Sequence, residues 1–221
     1  MLLLVDLDNS LVDRASAFNL WANDFVRSLG GSDSEAAWLV AADRDGYEPR
    51  ESLACAIKER FGADLSVNAL VESLLYDHVG LMTMDPATTG ALRRARNSGW
   101  RIGVVTNGTK AQQTLKIQTV GLGPHVDAVV ISGAERIKKP DPAIFHIAAD
   151  RLGVGLAGGW MIGDHPTADI AGGRAAGLKT GWVSRGKEWP GGMTAPDLSA
   201  GTVAEVIDAV ILRTFASSVA P

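Results

Sequence analysis

Cysteine is almost absent: Cys55 is the only one in 221 residues. No internal disulfide can form, so stability has to come from a buried core, as fits a reducing cytoplasm. Histidine is scarce as well. The four, at positions 78, 125, 146 and 165, are scattered, and with one cysteine they offer no zinc-type ligand spacing. Long apolar runs are missing: nothing approaches the roughly 20 residues that a bilayer span needs, which argues against a membrane partner. The opening run Leu2–Val5 has no basic flank and meets Asp6 and Asp8 at once, so it predicts a strand rather than an export signal. Positive charge is not in excess either. The formal net charge of −4 provides no electrostatic footprint for nucleic acid.

What is present is a chain with 46% hydrophobic and 21% charged residues, enough to bury a substantial core. Short apolar runs at 2–5, 102–105, 128–131, 160–162 and 180–183 predict strands. Helical patterns fall between the later ones, at 111–120, 142–152 and 167–176, with a last helix at 203–215. The second of these opens on Pro142 and stops at Gly153, the start and stop chemistry expected of a helix. Strands alternating with helices predict an α/β fold with a parallel sheet covered on both faces. The Pro/Gly-rich piece 189–192 and residues 217–221 are expected to be loop and tail.

Residues 13–84 behave differently, with four helical stretches and no convincing strand. Phe18, Trp21, Ala22, Phe25 and Leu29 recur at spacings of three and four before Gly30-Gly31. Leu53, Ile57 and Phe61 repeat the pattern before Gly62, and Val67, Leu70, Val71, Leu74 and Leu75 form another stripe. The expected division is a sheet-bearing core of residues 1–12 and 85–221 with a helical insertion at 13–84. The insertion carries 12 acidic and 6 basic residues and the remainder 13 and 15, so the negative charge sits in the helical part. The simplest account is solvated acidic helix faces, and an acidic insertion again disfavours nucleic acid.

In open parallel sheets, ligands bind beyond the carboxyl ends of the strands. Polar residues fall at just those positions: Asp6 and Asp8 after the first strand, Thr106, Asn107 and Gly108 after the second, Lys139 before the Pro142 helix, and Asp164 and Asp169 after the strand at 160–162. Carboxylate oxygens suit Mg²⁺, which binds one or two carboxylates together with phosphate. A cation and Lys139 can neutralise a phosphoryl group, while Thr106 and nearby backbone N–H groups hold its oxygens. One carboxylate can attack phosphorus, and a second can protonate the leaving oxygen and then activate water.

These stretches, DLDNS at 6–10, TNG at 106–108, KP at 139–140 and GDHPTAD at 163–169, resemble the four motifs of the haloacid dehalogenase superfamily, in order and over nearly the whole chain. The helical insertion after the first motif resembles the superfamily's subfamily I cap. The resemblance implies a Rossmann-like core with a helical cap. It implies Asp6 as nucleophile and Mg²⁺ ligand, and Asp8 as general acid/base lending a backbone carbonyl to the metal. Thr106 and Asn107 would bind phosphate, Lys139 would balance charge on Asp6 and the phosphoryl group, Asp164 would ligate Mg²⁺ and Asp169 would support the metal site. A carboxylate at Asp8, which dehalogenases lack, favours phosphoryl chemistry. Ser10 stands where threonine is usual and Ala168 where asparagine often precedes the last aspartate.

Taken singly, these residues have ordinary alternatives. Asp6 and Asp8 can be turn or cap residues, Asn107-Gly108 a turn, Lys139 surface charge, and Asp169 a passenger on its helix. His165 either meets substrate or lines its loop. The polar loop Arg44, Asp45, Gly46, Tyr47, Arg50 either selects substrate or is an ordinary exposed loop, and Cys55 is a small side chain expected to be buried. Together the residues favour a Mg²⁺-dependent hydrolase of a small phosphomonoester, its cap excluding water and selecting the substrate. The rivals are a sugar-phosphate mutase of the same fold, a phosphonate hydrolase, for which Lys58 is the lone lysine in the insertion, and a regulatory or non-catalytic phosphate-binding protein. The identity of the substrate and the oligomeric state stay open.

Overall fold

A computed structural model of the chain describes residues 1–219, with side chains as far as Thr214. The order is β1 (Leu2–Val5), α1 (Arg14–Ser28), α2 (Asp33–Asp43), α3 (Arg50–Phe61), α4 (Val67–Tyr76), α5 (Pro86–Asn97), β2 (Arg101–Thr106) and α6 (Lys110–Thr119). There follow β3 (Ala128–Ile131), α7 (Ser132–Glu135), α8 (Ala143–Leu152), β4 (Trp160–Gly163), α9 (Gly172–Ala175), β5 (Lys179–Val183), β6 (Leu198–Ala200) and α10 (Val203–Val219). All six strands are parallel and pair in the order β3-β2-β1-β4-β5-β6. The fold is α/β and Rossmann-like.

Every residue of β1 is buried, as a central strand covered on both faces requires. Leu3 pairs with Ile102 on one side and with Trp160 on the other. The chain thus builds outward from β1 first to β2 and β3, then to β4, β5 and β6. That reversal makes the carboxyl end of β1 a topological switch point, where the loops part and a crevice opens.

By residue contacts the chain divides into two compact units, Met1–Val12 with Met84–Pro221, and Asp13–Thr83. In the first, Ile144, Phe145, Ala148 and Ala149 form one stripe of α8 and pack with Leu2, Leu4, Val105 and Met161. Gly153 ends α8 in the left-handed conformation, φ 66°, as its place after Leu152 predicted. Asp85 caps α5 by accepting from the Ala87 N–H, with Pro86 at the first helical position. The second unit holds α1 to α4 around Phe18, Trp21, Leu39, Leu53, Ile57, Leu70 and Leu74.

Four details depart from expectation. Residues 167–176 form not one α-helix but a π-helical turn, Pro166–Ala171, followed by the short α9. Strand β6 lacks an apolar run and its residues are only half buried at best, so nothing in its pattern announced it. Helix α10 continues to Val219, beyond the expected end at 215, and takes in 217–219 of the expected tail. The expectation for Ala220 and Pro221 lies outside the described residues. Cys55 is exposed rather than buried.

Candidate active site

The ends of β1, β2 and β4 and the turn before α8 each deliver part of one polar cluster. The Asp6 N–H donates to the Ile162 carbonyl at 2.8 Å, extending the β1–β4 ladder by one residue and fixing where the Asp6 side chain departs. Lys139, buried, donates from Nζ to Asp6 Oδ1 at 2.5 Å and to Asp169 Oδ1 at 2.7 Å. The second Asp169 oxygen accepts from the His165 N–H at 2.9 Å. Gly163 has to be glycine here, because a Cβ would overlap the Asp169 carboxylate.

Carboxylate oxygens of Asp6, Asp164 and Asp169 lie within 4.8 Å of one another. Burial pushes the Asp6 carboxyl well above the usual carboxylate range, and like charge on Asp169 and Asp164 adds to this against the pull of Lys139. Burial alone would lower the Lys139 amine, but Asp169 and Asp6 outweigh it and hold it above the ordinary lysine range. Lys139 is therefore a fixed positive charge. Three converging carboxylate oxygen donors fit a hard divalent cation. Around them, Asp164 meets Arg185 Nη1 at 3.4 Å, and its carbonyl accepts from the Trp182 indole N–H at 2.8 Å.

Asp8 is placed differently. Its carboxylate lies against the Lys116 ammonium at 2.7 and 2.8 Å and accepts from the Gln113 amide at 3.0 Å. The same Gln113 nitrogen donates to Thr106 Oγ1 at 2.5 Å, leaving the threonine O–H able to donate elsewhere. Asp6 and Asp8, two residues apart on one loop, thus sit in separate charge environments. Asn9 between the two carboxylates and Ser10 adopts a left-handed conformation, φ 58°, which turns the chain sharply.

The Asn107 side chain is bound to the Lys139 backbone. Its Oδ1 accepts from the Lys139 N–H at 2.9 Å and its Nδ2 donates to the Lys139 carbonyl at 3.0 Å. The side chain is thus a clamp on the Lys139 backbone. His165 accepts at Nδ1 from the Thr167 and Ala168 N–H groups, capping the π-helical turn, and the Ala168 position enters through its backbone. Gln113, Lys116 and Arg185 were missed. Gln113 and Lys116 stand among several polar residues of α6 and are set apart only by burial, as the two buried side chains of that helix.

Within the helical unit, the 44–50 loop is anchored inward. Asp43 takes a two-pronged bond from Arg14, at 2.7 and 3.0 Å, and another from Arg50 at 2.7 Å. Arg50 also donates to the Glu48 carbonyl, and Gly46, at φ 92°, leaves room for the Arg14 guanidinium. Exposed Arg44 pairs with Glu48. Arg50 is thus a structural tie of the loop.

A family model described as haloacid dehalogenase-like hydrolase matches residues 2–177. The chain belongs to that family. Phosphoserine phosphatase of Thermus thermophilus is 31% identical over 202 residues, covering 87% of this chain and 79% of the relative. N-acylneuraminate-9-phosphatase of Rattus norvegicus is 32% identical over 201 residues, 81% of each. Among solved structures, a haloacid dehalogenase-family phosphatase from Thermococcus onnurineus superposes with a TM-score of 0.66 at 25% identity, over 94% of this chain and 96% of that one. The protein is accordingly a phosphatase-type enzyme of this family, acting in phosphoester hydrolysis. No described helix is long and apolar enough to cross a membrane.

Proposed function

We propose that the protein is a Mg²⁺-dependent phosphomonoesterase that works through a phosphorylated Asp6. The observation carrying this reading is the unlike treatment of two neighbouring carboxylates. Asp6 shares Lys139 with Asp169 beside Asp164, while Asp8 rests on a different cation, Lys116. A cation at the cluster of Asp6, Asp164 and Asp169 would keep Asp6 ionised for attack, and Asp8, which stands apart from that cluster, would be left to carry protons.

In this reading an Asp6 oxygen attacks phosphorus as the bond to the ester oxygen breaks. The departing electron pair stays on that oxygen, which takes a proton from Asp8. Asp8, now a carboxylate, then accepts a proton from the water that hydrolyses the aspartyl-phosphate. Lys139 offsets negative charge throughout, and the Thr106 O–H and the backbone N–H of Asn107 donate to phosphoryl oxygens. Asp6, Asp164 and Asp169 would hold the cation, with the Asp8 backbone carbonyl, and the cation when bound supplies charge opposite the phosphoryl oxygens. The helical unit, in the same reading, selects the substrate. That substrate is a small phosphorylated metabolite, and phosphoserine and N-acylneuraminate 9-phosphate, the compounds in the relatives' names, head the screen.

Phosphate release from such esters, measured with Mg²⁺, with EDTA and in Asp6→Asn and Asp8→Asn variants, tests the reading. Metal-dependent turnover lost in Asp6→Asn, with labelled phosphate trapped on the parent chain at Asp6, is expected. Undiminished turnover in Asp6→Asn would refute it.

A further inference from the structure

Two side chains in the core unit have no part in the mechanism above, yet each is buried at some cost. Helix α6 turns no buried hydrophobic residue inward; it turns Gln113 and Lys116, which are 0% and 2% exposed. A buried ammonium and a buried amide persist only when their partners compensate for lost water. For Lys116 those partners include both oxygens of Asp8, and for the Gln113 amide nitrogen they include Asp8 and the Thr106 hydroxyl, while Gln113 Oε1 is buried with no hydrogen-bond partner among the described residues.

The space for this is prepared by the chain itself. Gly108, at φ 151°, has no Cβ, and one added there would fall 2.8 Å from Gln113 Cγ. The Gly108 N–H donates to Ser132 Oγ at 3.0 Å, tying the turn between β2 and α6 to the end of β3. Thr109 caps α6 by accepting from the Gln112 N–H, which sets the rotation that brings positions 113 and 116 inward. A loop carboxylate, a strand-end hydroxyl and one helix are thereby joined into a unit.

We infer that Lys116 and Gln113 are positioning residues that hold the Asp8 carboxyl in place for proton transfer at the ester oxygen, in register with the phosphate-holding Thr106. This rests on the phosphatase reading. The rival account is that the pair merely satisfies its own burial. The two differ in which substrates suffer when the pair is removed. An alkyl ester needs a proton on its leaving oxygen, whereas 4-nitrophenolate departs with little help.

The test compares kcat/KM for an alkyl phosphate that the parent chain hydrolyses with that for 4-nitrophenyl phosphate, in the parent, Asp8→Asn, Lys116→Met and the double variant. Lys116→Met is expected to lower the alkyl value on the order of 10- to 100-fold, from a misplaced acid, and the aryl value by less than about 5-fold. In the Asp8→Asn background the same change should cost less than about 2-fold, since its route of action is gone. Equal losses on both esters, losses that multiply in the double variant, or unchanged alkyl turnover would each overturn the proposal. If Lys116→Met does not fold by circular dichroism, Gln113→Leu removes the bridge to Thr106 and should show the same alkyl bias. Failure of both to fold would assign the pair to stability alone and also overturn the proposal. A parent that releases phosphate from no ester removes the phosphatase reading and this inference together, whereas an active parent lacking the alkyl bias removes the inference only.

Discussion

At the scale of single residues, the site depends as much on what is missing as on what is present. A methyl group at Gly163 would meet the Asp169 carboxylate, so Gly163→Ala must displace either the strand end or the carboxylate. Overpacking of this kind costs about 1–3 kcal/mol. The variant should melt lower by that amount and lose Mg²⁺-dependent turnover about 100-fold, read by calorimetry and phosphate release. Asn107→Ala strips both bonds from the Lys139 backbone and should lower kcat about 10- to 100-fold while KM moves less, because charge placement and not ground-state binding is disturbed. As candidates, Asp6, Thr106, Lys139 and Asp164 were legible in the sequence because each stands just past an apolar run or just before a helix start, and Asp169 only through the motif at 163–169. Gln113 and Lys116 were not. Their partner Asp8 lies 105 and 108 positions away, and an inward-facing polar residue has no visible purpose until that partner is placed.

At the scale of elements, a buried ionic knot replaces apolar packing where α2 gives way to the 44–50 loop. Asp43 is almost inaccessible, with its side chain 2% exposed between Arg14 and Arg50. Burial alone would raise its carboxyl, but Arg14 and then Arg50 outweigh that and hold it below the usual range. A carboxyl lowered by folding adds stability above its unfolded value, about pH 4, and loses it as pH falls through the folded value. Acid should therefore melt the helical unit on that limb. Asp43→Asn should flatten the limb and cost about 3–5 kcal/mol near neutrality by stranding two guanidinium groups, as followed by urea melts across pH. The sequence pattern placed Arg44 to Arg50 in a polar loop but could not show that Arg50 faces inward, since the tie to Asp43 and Arg14 is tertiary. The π-helical turn was hidden for a related reason: its ordinary helical spacing is overridden by the His165 cap and by the bond from the His165 N–H to Asp169.

At the scale of the whole molecule, two units with separate apolar clusters lead us to predict separable responses. A cation held, as proposed, by Asp6, Asp164 and Asp169 would stabilise only the unit that holds those residues, by about 2.7 kcal/mol at a hundredfold excess over its Kd. In Asp43→Asn, calorimetry should resolve a low transition indifferent to Mg²⁺ and a higher one that Mg²⁺ raises and EDTA lowers. A single transition shifting as one would show that the units melt together. The sheet carries a different consequence. The groups of the site descend from separate strands, and pairs such as Leu3 with Ile102 and Leu3 with Trp160 decide how far along each strand its last residue reaches. A slip of one position would turn every side chain of that strand to the opposite face, and a slip of two would carry its catalytic group about 6.6 Å away. A mispaired molecule of this enzyme would be silent rather than altered in its chemistry. If Asp6 carries the phosphoryl group as proposed, each count of labelled Asp6 in a refolding mixture is a census of correctly assembled sheets, and turnover becomes a proofreading signal for the fold.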